Sequence, residues 1–344
     1  MKKISILIML MGIILVLIVA VGLGSINIDP SISYKILINH FFTDFYTKNW
    51  NDSLEIIIME VRLPRVLLAF VTGASMSMIG VLMQTLTKNN LAEPFILGIS
   101  SGASAGAVSV IILSTVFTLF SKISVSQGAF IGALLSTFIV FSMTIFRYSS
   151  LRTNLILVGV GVSSFFAALT NFIIYSSTNN SQVITAMFWM SGSLSSATKD
   201  ILLKPYLLSL IILFINILIA NELDIFLLGE NTARSLGVNT KFMKIYVIIC
   251  STLLVSSIVS LTGIIGFVGL IIPHISRKII GHKHKNLIIF SYFLGGVFLV
   301  LADTFARTIF APEEIPIGIV TAFIGAPTFL FIIKKEYLRG ESSK

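Results

Sequence analysis

Apolar runs of membrane-crossing length recur along this chain from end to end, and that repetition fixes the class of fold before any motif is considered. A helix needs ~20 mostly apolar residues to cross the hydrocarbon of a bilayer. Residues 4–24 are the first such run, and others follow at about 63–86, 95–113, 128–146, 155–175, 205–220 and 245–261. Three glycines, Gly263, Gly266 and Gly269, then interrupt the pattern. A shorter run reaches Arg277, and two more lie at about 287–305 and up to 333. Backbone N–H and C=O groups in lipid must be satisfied within the protein, so runs of this length are helices. The expected fold is all-α: one polytopic membrane domain over residues 1–344 with ten transmembrane helices.

The first run has a competing reading. Lys2 and Lys3 precede it, and Ala20-Val21-Gly22 has the small residues of a cleavage site. A signal peptide has an apolar core of only ~7–15 residues, however, and this run is longer, so a retained first helix is favoured. Ten crossings put both termini on one side. Sorting the 24 Lys and Arg residues by that topology leaves twice as many on the side of the termini as on the other. The excess marks the cytoplasmic face, in what is read as a bacterial plasma membrane. It also accounts for the net charge of +9 without nucleic acid. Charged residues are only 11% of the chain, against ~25% in soluble domains. The single cysteine, Cys250, excludes an intrachain disulfide framework, and neither a metal site nor a cofactor is expected.

Helices two to five and seven to ten are two sets of four that start from opposite sides. They are read as an inverted repeat, a common transporter design. Between them, residues 183–194 have apolar residues at helical spacing and read as a short surface helix. Residues 27–60 read the same way, and the polar stretch 221–244 is the longest cytoplasmic loop.

The rest is organised around residues 61–106. Arg62 and Arg65 share a face at the outer end of helix two, and Arg307 stands at the outer end of helix nine. Snorkelling anchors for lipid headgroups would look like this. A cluster on the side poor in basic residues instead favours docking of a partner that presents carboxylates, which suit the guanidinium fork. Small residues then recur four apart, as Ala69, Gly73 and Ser77 and as Gly98, Gly102 and Gly106. Such faces let helices pack closely, and in the sharper reading some of them line a path with room for a bulky solute.

Two motifs are weighed and set aside. Gly98-Ile99-Ser100-Ser101-Gly102 fits the nucleophile elbow G-x-S-x-G, which needs a strand, a turn and a helix around it. Here it sits in an apolar helix. His282 and His284 are flanked by Lys283 and Lys285, so a basic loop is expected there and not a metal site. The chain has no phosphate-binding G-x-x-x-x-G-K-[ST] loop. Acidic groups at mid-membrane, the usual mark of a proton- or sodium-driven carrier, are nearly absent; Asp303 and Arg307 lie near a helix end. Energy is therefore expected from another protein, with an ion-gradient carrier as the second reading.

Residues 229–237 form a short amphipathic segment between Gly229, which opens it, and Gly237, which closes it. It is read as resting on lipid or, more sharply, as a coupling helix that seats in a motor subunit.

Several stretches together resemble the FecCD family, the permease subunits of ABC importers for iron-siderophores, haem and cobalamin. They are Arg62-Leu63-Pro64-Arg65, residues 80–84 ending in Gln84, Leu91-Ala92-Glu93-Pro94 with Leu97-Gly98, the 229–237 segment, Gly266-Phe267-Val268-Gly269-Leu270 with Pro273-His274, Arg307, Pro316 and Gly325-Ala326-Pro327. The resemblance implies a dimer of permeases, identical or not, with the path between them. It implies two cytoplasmic ATPases and an extracytoplasmic binding protein that docks on Arg62, Arg65 and Arg307. The coupling segment would include Glu230, Ala233, Arg234, Leu236 and Gly237. The turn at Asn89, Asn90 and Leu91 and the loop at 152–154, with Thr153 and Asn154, would be the gate regions. The family usually has Pro where this chain has Asn90. The cargo implied is a ferric siderophore or haem, with cobalamin as the alternative.

Overall fold

One helix, Leu63–Thr87 (α4), runs from the arginine end of the molecule to the opposite end and is buried almost along its whole length. A computed structural model describes residues 3–24, 26, 28–42, 45–145 and 151–341. Among them every regular element is helical. α1 is Lys3–Gly22 and α2 is Pro30–Phe41. The Asp29 side chain caps α2 by accepting the Ser31 N–H at 2.8 Å. The chain becomes helical again at Asp52, not near residue 63 as expected. α3 (Asp52–Ile56) passes through a π-helical turn, Ile57–Arg62, directly into α4. The expected surface helix over 27–60 is therefore only α2, and the end of that segment belongs to the central helix.

The other elements are α5 (Ile99–Leu113), α6 (Thr118–Ser121), α7 (Val125–Ile145), α8 (Leu151–Ser176), α9 (Asn180–Met190), α10 (Lys199–Leu218), α11 (Ala220–Leu227), α12 (Glu230–Ser235), α13 (Thr240–Thr262), α14 (Val268–Ile280), α15 (His284–Thr308) and α16 (Ile317–Glu341). Six of the described helical stretches are long and apolar enough to cross a membrane, and Met11–Gly22, Ile99–Leu113 and Ile317–Ile332 are shorter apolar helices. The eighth expected crossing falls on α14, whose 13 residues are too few to span hydrocarbon ~30 Å thick alone. α5 is nearly as short at 15 residues. Both follow a break: a turn and the 3₁₀ segment Pro94–Leu97 precede α5, and residues 263–267 precede α14.

Packing is reciprocal between the two sets of helices. α4 lies against α14 and α15, whereas α13 lies against α5 and α7. Each set thus contributes its first helix to the other, as two related units that exchange a helix would. Backbone contact makes this possible. A Cβ on Gly73 would sit 2.1 Å from the Gly295 carbonyl oxygen, and one on Gly80 1.9 Å from that of Gly269. α8 and α10 instead turn large apolar side chains outward, among them Phe165, Phe172, Leu207 and Phe214. That outward face suits lipid, whose acyl chains are as apolar as these side chains.

Candidate functional site

At one end of α4 the three arginines come together. Arg62 donates to the carbonyls of Gly22 (2.7 Å), Val21 (3.3 Å) and Ile26. Arg307 donates to those of Leu23 (3.1 Å) and Ala20 (3.2 Å). The carbonyls of Ala20, Val21 and Gly22 are orphans of the last turn of α1, and cations there also oppose the helix dipole. Arg65 takes the carboxylates: its Nε lies 3.0 Å from Asp303 Oδ1 and its Nη1 2.7 Å from Glu314 Oε2. Asp303 is wholly buried and also pairs with Arg307 Nε at 3.0 Å. The guanidiniums are therefore not open surface forks. All three are buried, because partners far away in the chain fold onto them. Together with Glu314 they still line one cavity of about 150 Å³, alongside Gly24, Ile26, Ile57 and Val61. Asp303 was visible in the sequence four residues before Arg307, but Glu314 and the end of α1 were not foreseen as partners.

Along α4 the small residues meet neighbouring helices. Gly73 faces Gly295. The Ser77 hydroxyl donates to the Ser291 carbonyl at 2.6 Å. On α5, a Cβ at Gly102 would sit 2.4 Å from the Gly132 carbonyl oxygen of α7. Gly98 adopts φ +74 where the 3₁₀ segment turns into α5, and its carbonyl accepts from Ser136 Oγ at 2.7 Å. Within one chain, then, Gly73, Ser77, Gly98 and Gly102 bring helices together and do not leave open space beside a path.

At the other end of α4, Lys88 takes a left-handed conformation (φ 48) and the chain turns. Asn89 builds the turn: its N–H donates to the Gln84 carbonyl at 3.1 Å, and its side-chain oxygen accepts the Leu91 N–H at 3.0 Å. Asn90 lines a cavity of about 120 Å³ with Gln84, Thr85, Lys88, Arg277 and His284. Gln84 bridges two elements, donating to the Gly269 and Leu270 carbonyls and accepting from Arg277. Glu93 closes the turn by accepting the Phe267 N–H at 2.7 Å. A carboxylate there favours the positive end of α14, which begins at the next residue. The second expected gate region is not a loop: Thr153 and Asn154 lie in the first turn of α8. The Thr153 side chain lies outside the described residues.

The 229–237 segment folds as expected. Gly229 (φ +120) and Gly237 (φ +85) bracket α12. Ala233 is fully buried, while Leu236 and Leu228 are exposed. Glu230 pairs with Lys244 at 2.6 Å and with Arg234 at 3.7 Å, and Arg234 Nε donates to Thr240 Oγ1 at 3.0 Å. α12 is thereby fastened to the start of α13 with leucines presented at each end. His284 departs from the basic loop expected around it: it is the buried first residue of α15.

A family described as the FecCD transport family matches residues 11–335. The hemin transport system permease protein HmuU of Yersinia pestis is 34% identical over 330 residues, 95% of this chain and 96% of that protein. The iron(3+)-hydroxamate import system permease protein FhuG of Bacillus subtilis is 32% identical and covers 94% of each chain. The cobalamin import system permease protein BtuC of Halobacterium salinarum is 35% identical over 291 residues, 84% of this chain and 76% of that one. Among solved structures, an inward-facing metal-chelate type ABC transporter superposes with a TM-score of 0.81 at 28% identity, over 95% of this chain and 97% of the other.

Proposed function

The chain belongs to the FecCD transport family, and from that premise we propose that it carries an iron chelate, a ferric siderophore or haem, across the bacterial plasma membrane as the permease of a binding-protein-dependent ABC importer. It is a multi-pass membrane subunit and not an enzyme. An ATPase, a substrate-binding protein and a permease dimer come with the family; two ATPase copies per dimer are part of the proposal. The observation that carries the cargo is the match, nearly end to end in both chains, to a haemin permease and a ferric-hydroxamate permease.

In this reading both termini and α12 face the cytoplasm, and the arginine end faces outward. A binding protein lands over the cavity that Arg62, Arg65 and Arg307 line. Its carboxylates compete there with Glu314, which is the more exposed of the two acidic partners of Arg65. The path runs between two permeases, and the glycine contacts of α4 and α5 hold its walls in register. The turn at Asn89, Asn90 and Leu91, together with Thr153 and Asn154, closes the cytoplasmic end. Glu230, Ala233, Arg234, Leu236 and Gly237 form the coupling segment, with Leu236 positioned to enter an apolar groove of the ATPase.

The test is uptake into proteoliposomes holding the permease with its ATPase and binding protein. Radiolabelled ferric hydroxamate, haem and cobalamin would be offered in turn, with and without internal ATP. ATP-dependent entry of either iron chelate, unaffected by an uncoupler, is expected. Entry of cobalamin alone would reassign the cargo. Uptake that collapses with the ion gradient and ignores ATP would overturn the importer reading itself.

A further inference from the structure

Three side chains, Asp224 at the surface and His284 and Thr85 buried, link the platform of the coupling segment to the last turn of α4. Asp224 lies on α11, which only Leu228 and Gly229 separate from α12. Its Oδ1 accepts from His284 twice, from the backbone N–H at 3.0 Å and from ring Nδ1 at 2.6 Å. The carboxylate thus caps α15 from a different helix, a task that Lys283 at the N-cap position does not perform. The other ring nitrogen, Nε2, is 2.7 Å from Thr85 Oγ1. Thr85 stands four residues before Asn89, the residue that builds the gate turn, and its hydroxyl oxygen also lies 2.8 Å from the Val81 carbonyl oxygen. Thr85 and His284 are both 1% exposed. A second contact runs in parallel: Lys88 Nζ lies 5.7 Å from the centre of the Phe226 ring on α11.

We propose that the chain Asp224–His284–Thr85 is a transmission linkage that couples displacement of α12 to the gate turn at the end of α4. Hydrogen bonds sheltered from water are strong and directional, and breaking one leaves an unsatisfied buried group. α11 therefore moves with α15, or at the cost of the two bonds from Asp224, and α15 is tied in turn to the end of α4 through His284 and Thr85. Asp224, His284 and Thr85 are positioning residues; none needs to touch cargo. The proposal rests on the coupling role of α12 proposed above.

The experiment uses the assembled transporter in nanodiscs and needs no cargo. Nitroxide pairs would report two distances, from residue 236 at the end of α12 to residue 210 in α10 and from residue 90 in the gate turn to residue 210. Both would be read before and after trapping with ATP and vanadate. In the parent protein both distances shift. In Thr85→Val and in His284→Ala the shift at 236 persists. The fraction of chains shifted at 90 falls about fivefold, the effect of losing one neutral buried hydrogen bond. Thr85→Ser, which keeps the hydroxyl, restores it. An unchanged shift at 90 in both variants overturns the linkage and leaves the coupling segment standing. Loss of assembly in Thr85→Val, a near-isosteric change, overturns it in favour of a folding role. Absence of any shift at 236 in the parent protein removes the coupling role first and the linkage with it.

Discussion

Arg65 and Asp303 are 238 residues apart in the chain, yet Arg65 Nε donates to both carboxylate oxygens, at 3.0 and 3.2 Å. Asp303 also holds Arg307, so one buried carboxylate compensates two buried guanidiniums. Asp303→Ala takes the carboxylate from Arg307 and leaves Arg65 with Glu314 alone, and should destabilise the protein by about 3–5 kcal/mol, the effect of breaking a buried pair from one side. Chemical unfolding in detergent measures it. A loss under 1 kcal/mol, the scale of an exposed pair, would show that water reaches the cluster freely.

Docking gives two predictions of opposite sign. If a partner carboxylate takes over Arg65 from Glu314, then Glu314→Gln releases the arginine and tightens binding of the substrate-binding protein several-fold, while Arg65→Gln weakens it about tenfold or more. Surface plasmon resonance on nanodisc-held permease reads both. Equal effects of the two changes would refute exchange of partners at Arg65.

Close packing makes glycine substitutions unequal. At Gly73 even one methyl meets the Gly295 carbonyl, and Gly73→Ala should cost about 1–3 kcal/mol as α4 and α15 are pushed apart. Gly161 has open space around it, and Gly161→Ala should stay within about 0.5 kcal/mol of the parent. Melting of purified protein compares them. Similar losses at both would mean that α4 and α15 can separate without strain.

Glu93 separates shape from hydrogen bonding. Glu93→Gln retains an oxygen that can accept the Phe267 N–H, and Glu93→Ala does not. The alanine variant should lose about 1 kcal/mol more than the glutamine variant, the usual worth of a capping side chain. The comparison is again by unfolding. If the two variants lose the same amount, the negative charge and not the acceptor holds the break before α14.

The helical class, the α12 turn between its two glycines and the break before α14 were readable because each has a local cause: apolar length, or a glycine where the backbone turns. Local signals failed in two kinds of place. The central helix begins at Asp52, where Lys48 pairs with Asp52 and Glu55 and burial starts only at Ile58, and polarity alone suggested a surface segment. Arg62, Arg65 and His284 looked like surface charge because their partners are distant in sequence: the end of α1, Asp303 and Asp224. A residue beside Lys283 and Lys285 gives no sign that its ring points inward to a carboxylate 60 positions earlier.

The exchange of α4 and α13 between the two sets has a consequence for biosynthesis. α4 leaves the ribosome long before most of the helices it packs on, and its glycines lack their partners until α14 and α15 have been made. At ~5–20 residues per second, that wait is on the order of tens of seconds. During it Gly73, Ser77 and Gly80 must rest against lipid or an insertion chaperone. A chain cut between α10 and α13 would leave each fragment with one helix prepared for a surface that only the other fragment supplies.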